Sequence, residues 1–192
     1  MKSTNLTRRW MLMILGVLSL LGHIAAVSAS EAQRPAGPVV LTIVGKIDRT
    51  NRPGFDESQD LFFKYHERRF ERAFEFDRAM LEALGTSKAE IAYTGWPRPV
   101  MVEGPFLRDV LAMAGADSGK IRITALDGFA SELEYKDLAE QDWIVALKAD
   151  GRPLSIGQRG PSWVVYARRD GKPGATEDEL RWPWAAFLIE IE

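Results

Sequence analysis

The stretch 120–166, KIRITALDGFASELEYKDLAEQDWIVALKADGRPLSIGQRGPSWVVY, decides the fold class. It contains two Asp-Gly pairs, Asp127–Gly128 and Asp150–Gly151, each set in runs rich in apolar residues. Asp-Gly tolerates the positive φ angles of a tight turn, so the first pair predicts a hairpin across residues 120–135 and the second closes another strand in DWIVALKADGRPL. Residues 136–140 between them predict a short helical turn. GPSWVVY and the closing WAAFLIEIE add further strands.

Working outward gives the same mixture. PVVLTIVGKI, bounded by Pro38 and Gly45, predicts the first strand. FEFDRAMLEALG predicts alternating Phe74 and Phe76, then a two-turn helix capped by Asp77 and stopped by Gly85. KAEIAYTGW and PVMVEG predict strands flanking a turn at Trp96. Pro105 opens the helix PFLRDVLAMAG, in which Leu107, Val110, Leu111 and Ala114 share one face. Between the first strand and Phe74 lies a charged arm, residues 52–72, interleaved with Phe62, Phe63, Tyr65 and Phe70, where Asp56 with Gln59 predicts a capped helix running to about Arg72. Short strands with a few brief helices make the expected class α+β with a β-rich core.

Residues 1–30 read differently. Lys2, Arg8 and Arg9 precede the apolar run WMLMILGVLSLLG, and AAVSASEA offers small residues for cleavage near 28–30, so a signal peptide and an exported, periplasmic protein are expected. TRRWML also partly matches a twin-arginine signal. Without residues 1–30 the chain carries 22 basic and 27 acidic residues, a net charge of −5 that argues against a nucleic-acid partner. No cysteine occurs, which removes disulfides, thiolate nucleophiles and thiolate metal ligands. His66 is the only histidine after residue 30, too few for a zinc or haem cluster or a Ser-His-Asp triad. The acids Glu177, Asp178 and Glu179 read as a solvated turn.

Tryptophan is the distinctive residue. Trp143 and Trp184, flanked by apolar strand-like residues, are expected in the core. Trp96 and Trp182 each precede a proline on a turn, where an indole can stand as a cleft wall. Trp163 lies beside Arg159 in GQRGPSW, and Trp182 beside Arg181 in LRWPW. A flat heteroaromatic ligand would stack on such indoles, accept from Arg159 or Arg181, and donate to a carboxylate such as Asp127.

LTIVGKI, FDRAMLEALG, EGPFLRDVLAMAGA, the segment from IRITALDGF to ARRD and the closing RWPWAAFLIEIE together resemble the small exported proteins of the sulfite-oxidase-like, molybdopterin-binding-domain family, over residues 38–192. The ordered set EGP-x-LRDVL, TALDG, DG-x-PLS, GP-x-WVVY and RW-x-W carries the resemblance. Residues 52–72 then stand as an insertion. The resemblance implies a pterin-shaped pocket on the sheet. Family enzymes ligate molybdenum through a cysteine before the "GP" helix, whereas the matching stretch here, EIAYTGWP, offers Ala92, Tyr93 and Thr94.

Cysteine-free members of the group include periplasmic pterin-binding sensors of membrane-bound cyclic-di-GMP signalling enzymes. The resemblance therefore implies a non-catalytic protein that binds a free reduced pterin and relays occupancy to the periplasmic domain of such a partner. The ligand-binding residues are then Trp96, Arg159, Trp163, Arg181, Trp182 and Asp127, with no molybdenum cofactor; the arm at 52–72 reads as a surface helix over the core edge, with a partner-binding or lid element as the alternative. The competing reading is a molybdenum-cofactor oxidoreductase with a non-cysteine ligand.

Overall fold

In the first strand, Val39–Gly45 (β1), Leu41 and Ile43 are fully buried on one face while Thr42 and Val44 turn to the other. Both faces of this strand are therefore covered. The computed structural model describes residues 33–192, so the expected signal peptide lies outside the described residues. β1 runs parallel to the last strand, Ala186–Ile191 (β11), and antiparallel to Ala73–Asp77 (β2). The Asp127–Gly128 hairpin joins Lys120–Ala125 (β5) to Ala130–Glu134 (β6), which gives a five-stranded sheet of order β2-β1-β11-β5-β6.

A second sheet is built from Ser87–Ile91 (β3), Val100–Gly104 (β4), Lys148–Ala149 (β8) and Arg152–Pro153 (β9), in that order. A separate two-stranded ladder pairs Ile144–Ala146 (β7) antiparallel with Trp163–Val165 (β10). The helix Leu107–Ala114 (α3) buries the face formed by Leu107, Val110, Leu111 and Ala114. Asp77 caps the helix Arg78–Ala83 (α2) by accepting from the Met80 N–H at 2.8 Å, and it also accepts from the Ala36 and Gly37 N–H groups. The architecture is α+β with a β-rich core.

The arm departs from expectation. Its helix is only Leu61–Tyr65 (α1), and Glu67 then turns the chain with φ 58°. Phe63 and Phe70 must both reach the sheet, where their rings meet edge to face at 5.2 Å; on one continuous helix residues seven apart share a face but lie about 10 Å apart along the axis, so the chain has to turn back between them. With Val44, Ala73, Phe187 and Leu188 they form a second apolar cluster on the outer face of the five-stranded sheet. A register shift between Ala186 and Leu188 lets two successive residues, Phe187 and Leu188, join that cluster.

Candidate functional site

Three segments converge on one cleft. In the first, Ile91 ends β3 and the chain turns at Tyr93–Trp96, the Trp96 N–H donating to the Tyr93 carbonyl at 2.9 Å. The turn is tied down at Gly174, whose N–H donates to the Ala92 carbonyl and whose carbonyl accepts from the Thr94 N–H and Thr94 Oγ1. Trp96 is thus held half-buried, with its ring 5.8 Å from that of Trp163.

The second segment, Leu154–Trp163, carries Arg159. Gly160 sits where a Cβ would lie 2.5 Å from the backbone of Leu154 and Ser155, so only glycine allows this fold-back. The Arg159 carbonyl accepts from the Ala185 N–H at 2.9 Å, which fixes the residue beside the third segment. Its guanidinium lies 4.5 Å from the Trp96 ring centre and 5.0 Å from that of Trp163. Among the described residues it makes no side-chain hydrogen bond and no ion pair. Burial pushes its pKa below the ordinary value, with the charge of Glu179 acting the other way.

The third segment begins with the helix Thr176–Glu179 (α4) and runs through Trp184. Asp178 anchors it by accepting from Tyr166 Oη at 2.6 Å, Arg168 Nη1 at 2.8 Å and the Ala175 N–H at 2.9 Å. Burial alone would raise the Asp178 pKa, but these three donors hold it below the usual carboxylate range. Tyr166 is pushed up to about 12, by burial first and by the Asp178 carboxylate second. Asp178 is therefore buried and structural, not part of a solvated turn as its sequence context suggests. One residue on, a turn of about 100° carries Glu179 away from that anchor and to the cleft.

The cleft has a volume of about 680 Å³, within the range of small-molecule sites. Four indoles meet it, but Trp163 and Trp182, 1% and 3% exposed, belong to the core, so its open aromatic surface is Trp96 and Trp184; Arg159 and Glu179 supply opposite charges, and Val100 and Leu154 add apolar lining. Arg98 and Asp150 also line it but are spent on each other, Nη2 to Oδ2 at 2.7 Å. The arrangement suits a planar ring system that packs on the accessible Trp96 and Trp184 and presents an acceptor to Arg159 and donors to Glu179.

Of the residues expected from sequence, Trp96, Arg159, Trp163 and Trp182 come together here. Arg181 does not: it donates to Asp137 Oδ2 at 3.3 Å and lies over Trp143 and Tyr166. Asp127 does not line the cleft either, because it sits in the β5–β6 turn accepting from the Phe129 N–H. Glu179 is the lining carboxylate not paired with Arg98.

The two tryptophans around Pro183 exchange roles. Trp182 is only 3% exposed and packs against Gly174, whose missing side chain makes room for the ring, whereas Trp184, expected in the core, is 49% exposed. Ala185, in the left-handed region at φ 55°, reverses the chain between Trp184 and β11. The arm supplies no residue to the cleft; it packs over the outer face of the five-stranded sheet, as the surface reading expects and as a lid on the pocket would not.

The cleft offers a metal only carboxylate oxygens, those of Asp150 and Glu179, among its charged side chains. The lining holds neither sulfur nor imidazole, and the Thr94 hydroxyl, in the stretch matching the metal-ligand loop, donates to the Gly174 carbonyl at 3.2 Å. No group of three or more metal-ligating side chains occurs among the described residues, and no described helix is long and apolar enough to cross a membrane. No protein-family model matches the chain, and no curated protein matches it in sequence.

Proposed function

We propose that the protein is a non-catalytic, exported binding protein whose cleft takes a free reduced pterin and whose occupancy is relayed to the periplasmic domain of a membrane-bound signalling enzyme of the cyclic-di-GMP type. The observation that carries the ligand class is Arg159: a guanidinium laid across Trp96 and Trp163, without an acceptor among the described residues, in one cleft with Glu179. A pterin ring complements this set. Its oxo group accepts from arginine, its amino and ring N–H groups donate to carboxylate, and its two fused rings stack on indole. The resemblance to the sulfite-oxidase-like family supports the same ligand, and the absence of cysteine supports binding without redox turnover.

The relay follows from the same geometry. A ligand shifts a partner equilibrium only through differential affinity for two states. The half-exposed Trp184 belongs both to the cleft and to the outer surface, so ordering that ring against a ligand changes what a partner meets. The expected result is quenching or enhancement of tryptophan fluorescence on titration with tetrahydropterin or dihydropterin, at a Kd of about micromolar order. No binding up to roughly tens of micromolar by fluorescence and calorimetry overturns the reading.

A further inference from the structure

Glu179, Trp182 and Trp184 do not only line the main cleft; they also line a second hollow of about 220 Å³ whose other walls are Ala125, Asp127, Phe129 and Leu180. Three large apolar side chains there face solvent: Leu180 at 59%, Trp184 at 49% and Phe129 at 40% exposure. Clustered exposed apolar surface of this kind signals something that covers it. The two hollows share a rim, so a substituent leaving the main cleft over the Trp184 ring arrives among these side chains.

The charges of the hollows beside the cleft differ. The charged residues of the small hollow are both acids, Asp127 and Glu179. A separate hollow of about 340 Å³, which shares Arg98, Asp150 and Gln158 with the main cleft and no residue with the small hollow, carries Arg98 and Arg152 with Asp150. Asp127 accepts from the Phe129 N–H through Oδ1, and Oδ2 has no protein donor among the described residues. An apolar, flat, acid-rimmed hollow repels an anionic tail and favours an uncharged aromatic group with an N–H to donate.

We infer that the Phe129–Leu180 hollow is a second subsite of the cleft, and that it takes an uncharged aryl-amine substituent on the bound heterocycle. This inference rests on the pterin reading of the main cleft and extends it to the class of pterin. The pterin ring lies between the indoles; its substituent crosses Trp184, stacks on Phe129 and Leu180, and directs its N–H toward Asp127.

The test compares three probes on the full exported chain by calorimetry: 6-hydroxymethyl-dihydropterin, 6-anilinomethyl-dihydropterin, and dihydropteroate, which adds a carboxylate to the aryl ring. The anilinomethyl compound is expected to bind about tenfold tighter than the hydroxymethyl one. The double variant Phe129→Ala with Leu180→Ala erases that advantage and leaves hydroxymethyl-dihydropterin affinity unchanged; thermal melting confirms that it is folded. Dihydropteroate binds more weakly than the anilinomethyl probe, and Asp127→Asn narrows the gap. Equal affinity for the first two probes, or an advantage that survives in the double variant, overturns the subsite while leaving the main cleft standing. Failure of all three to bind the unmodified chain overturns the pterin reading and this inference with it.

Discussion

The arm at 52–72 and the cleft around Arg159 are both built from aromatic rings and arginines, yet they solve opposite problems. In the arm, Arg52 meets Asp60 at 2.6 Å and Glu75 at 2.9 Å, Arg69 meets Glu57, and Phe62 and Phe63 pack against Phe187. Its cations are answered by its own chain. In the cleft, Arg159 is desolvated between two indoles without a partner among the described residues, and Trp184 is left half in solvent. The same residue types serve as a strut where cation and carboxylate meet within the chain, and stay open to a ligand where, as at the partly exposed Arg159, no acceptor stands opposite.

The sharpest way to break this contrast lies within the cleft itself. Trp182→Ala is expected to lose about 3–5 kcal/mol of stability in urea unfolding, since it empties a buried site against Gly174, while Trp184→Ala loses less than about 0.5 kcal/mol and weakens ligand binding instead. Similar losses for both would mean that the two rings are not divided between core and cleft.

Next in size is the arginine pair. Arg52→Ala leaves two little-exposed carboxylates without their cation and should cost about 2–3 kcal/mol of stability with ligand affinity unchanged. Arg159→Met should leave the melting temperature unchanged or higher, yet weaken pterin binding by about 2 kcal/mol, roughly 30-fold. Loss of stability in Arg159→Met would place it with the struts. Trp96→Ala should weaken binding by about 1–2 kcal/mol through lost stacking, with calorimetry as the measure.

A further contrast appears at alkaline pH. Tyr166 has a folded pKa raised from 10.0 to about 12, so the folded state holds its proton more tightly than the unfolded one. Its contribution is fully present below about pH 10 and is lost as pH rises toward 12. The wild type should lose stability over that window and Tyr166→Phe should not. Asp178 runs the other way: its depressed pKa contributes stability above the ordinary carboxylate value, lost as pH falls through the folded value.

Much of the secondary structure was legible because its signals are local. Asp-Gly pairs select tight turns, Asp77 caps the helix that follows it, and Leu107, Val110, Leu111 and Ala114 have the spacing of a buried helical face. The arm was misread as a longer helix because Phe63 and Phe70 are both claimed by the sheet, which turns the chain back between them. In the site, the Trp96 turn and Arg159 were legible from glycine and proline beside indole and guanidinium. Glu179 was not, because nothing in a run of three acids says which one the helix turns inward and which it leaves on a cleft.

By itself the sequence determined an α+β chain of short strands, without thiol chemistry, carrying tryptophans and arginines at its turns; hydrophobic period, turn residues and composition act over a few residues and suffice for that. Only the tertiary structure decided which indole is core and which is wall, which arginine is answered and which is not, and which acid faces the cleft. Those outcomes depend on contacts such as Trp182 on Gly174, Arg159 on Trp96 and Arg181 on Asp137, made between segments that local preference leaves free to meet or miss.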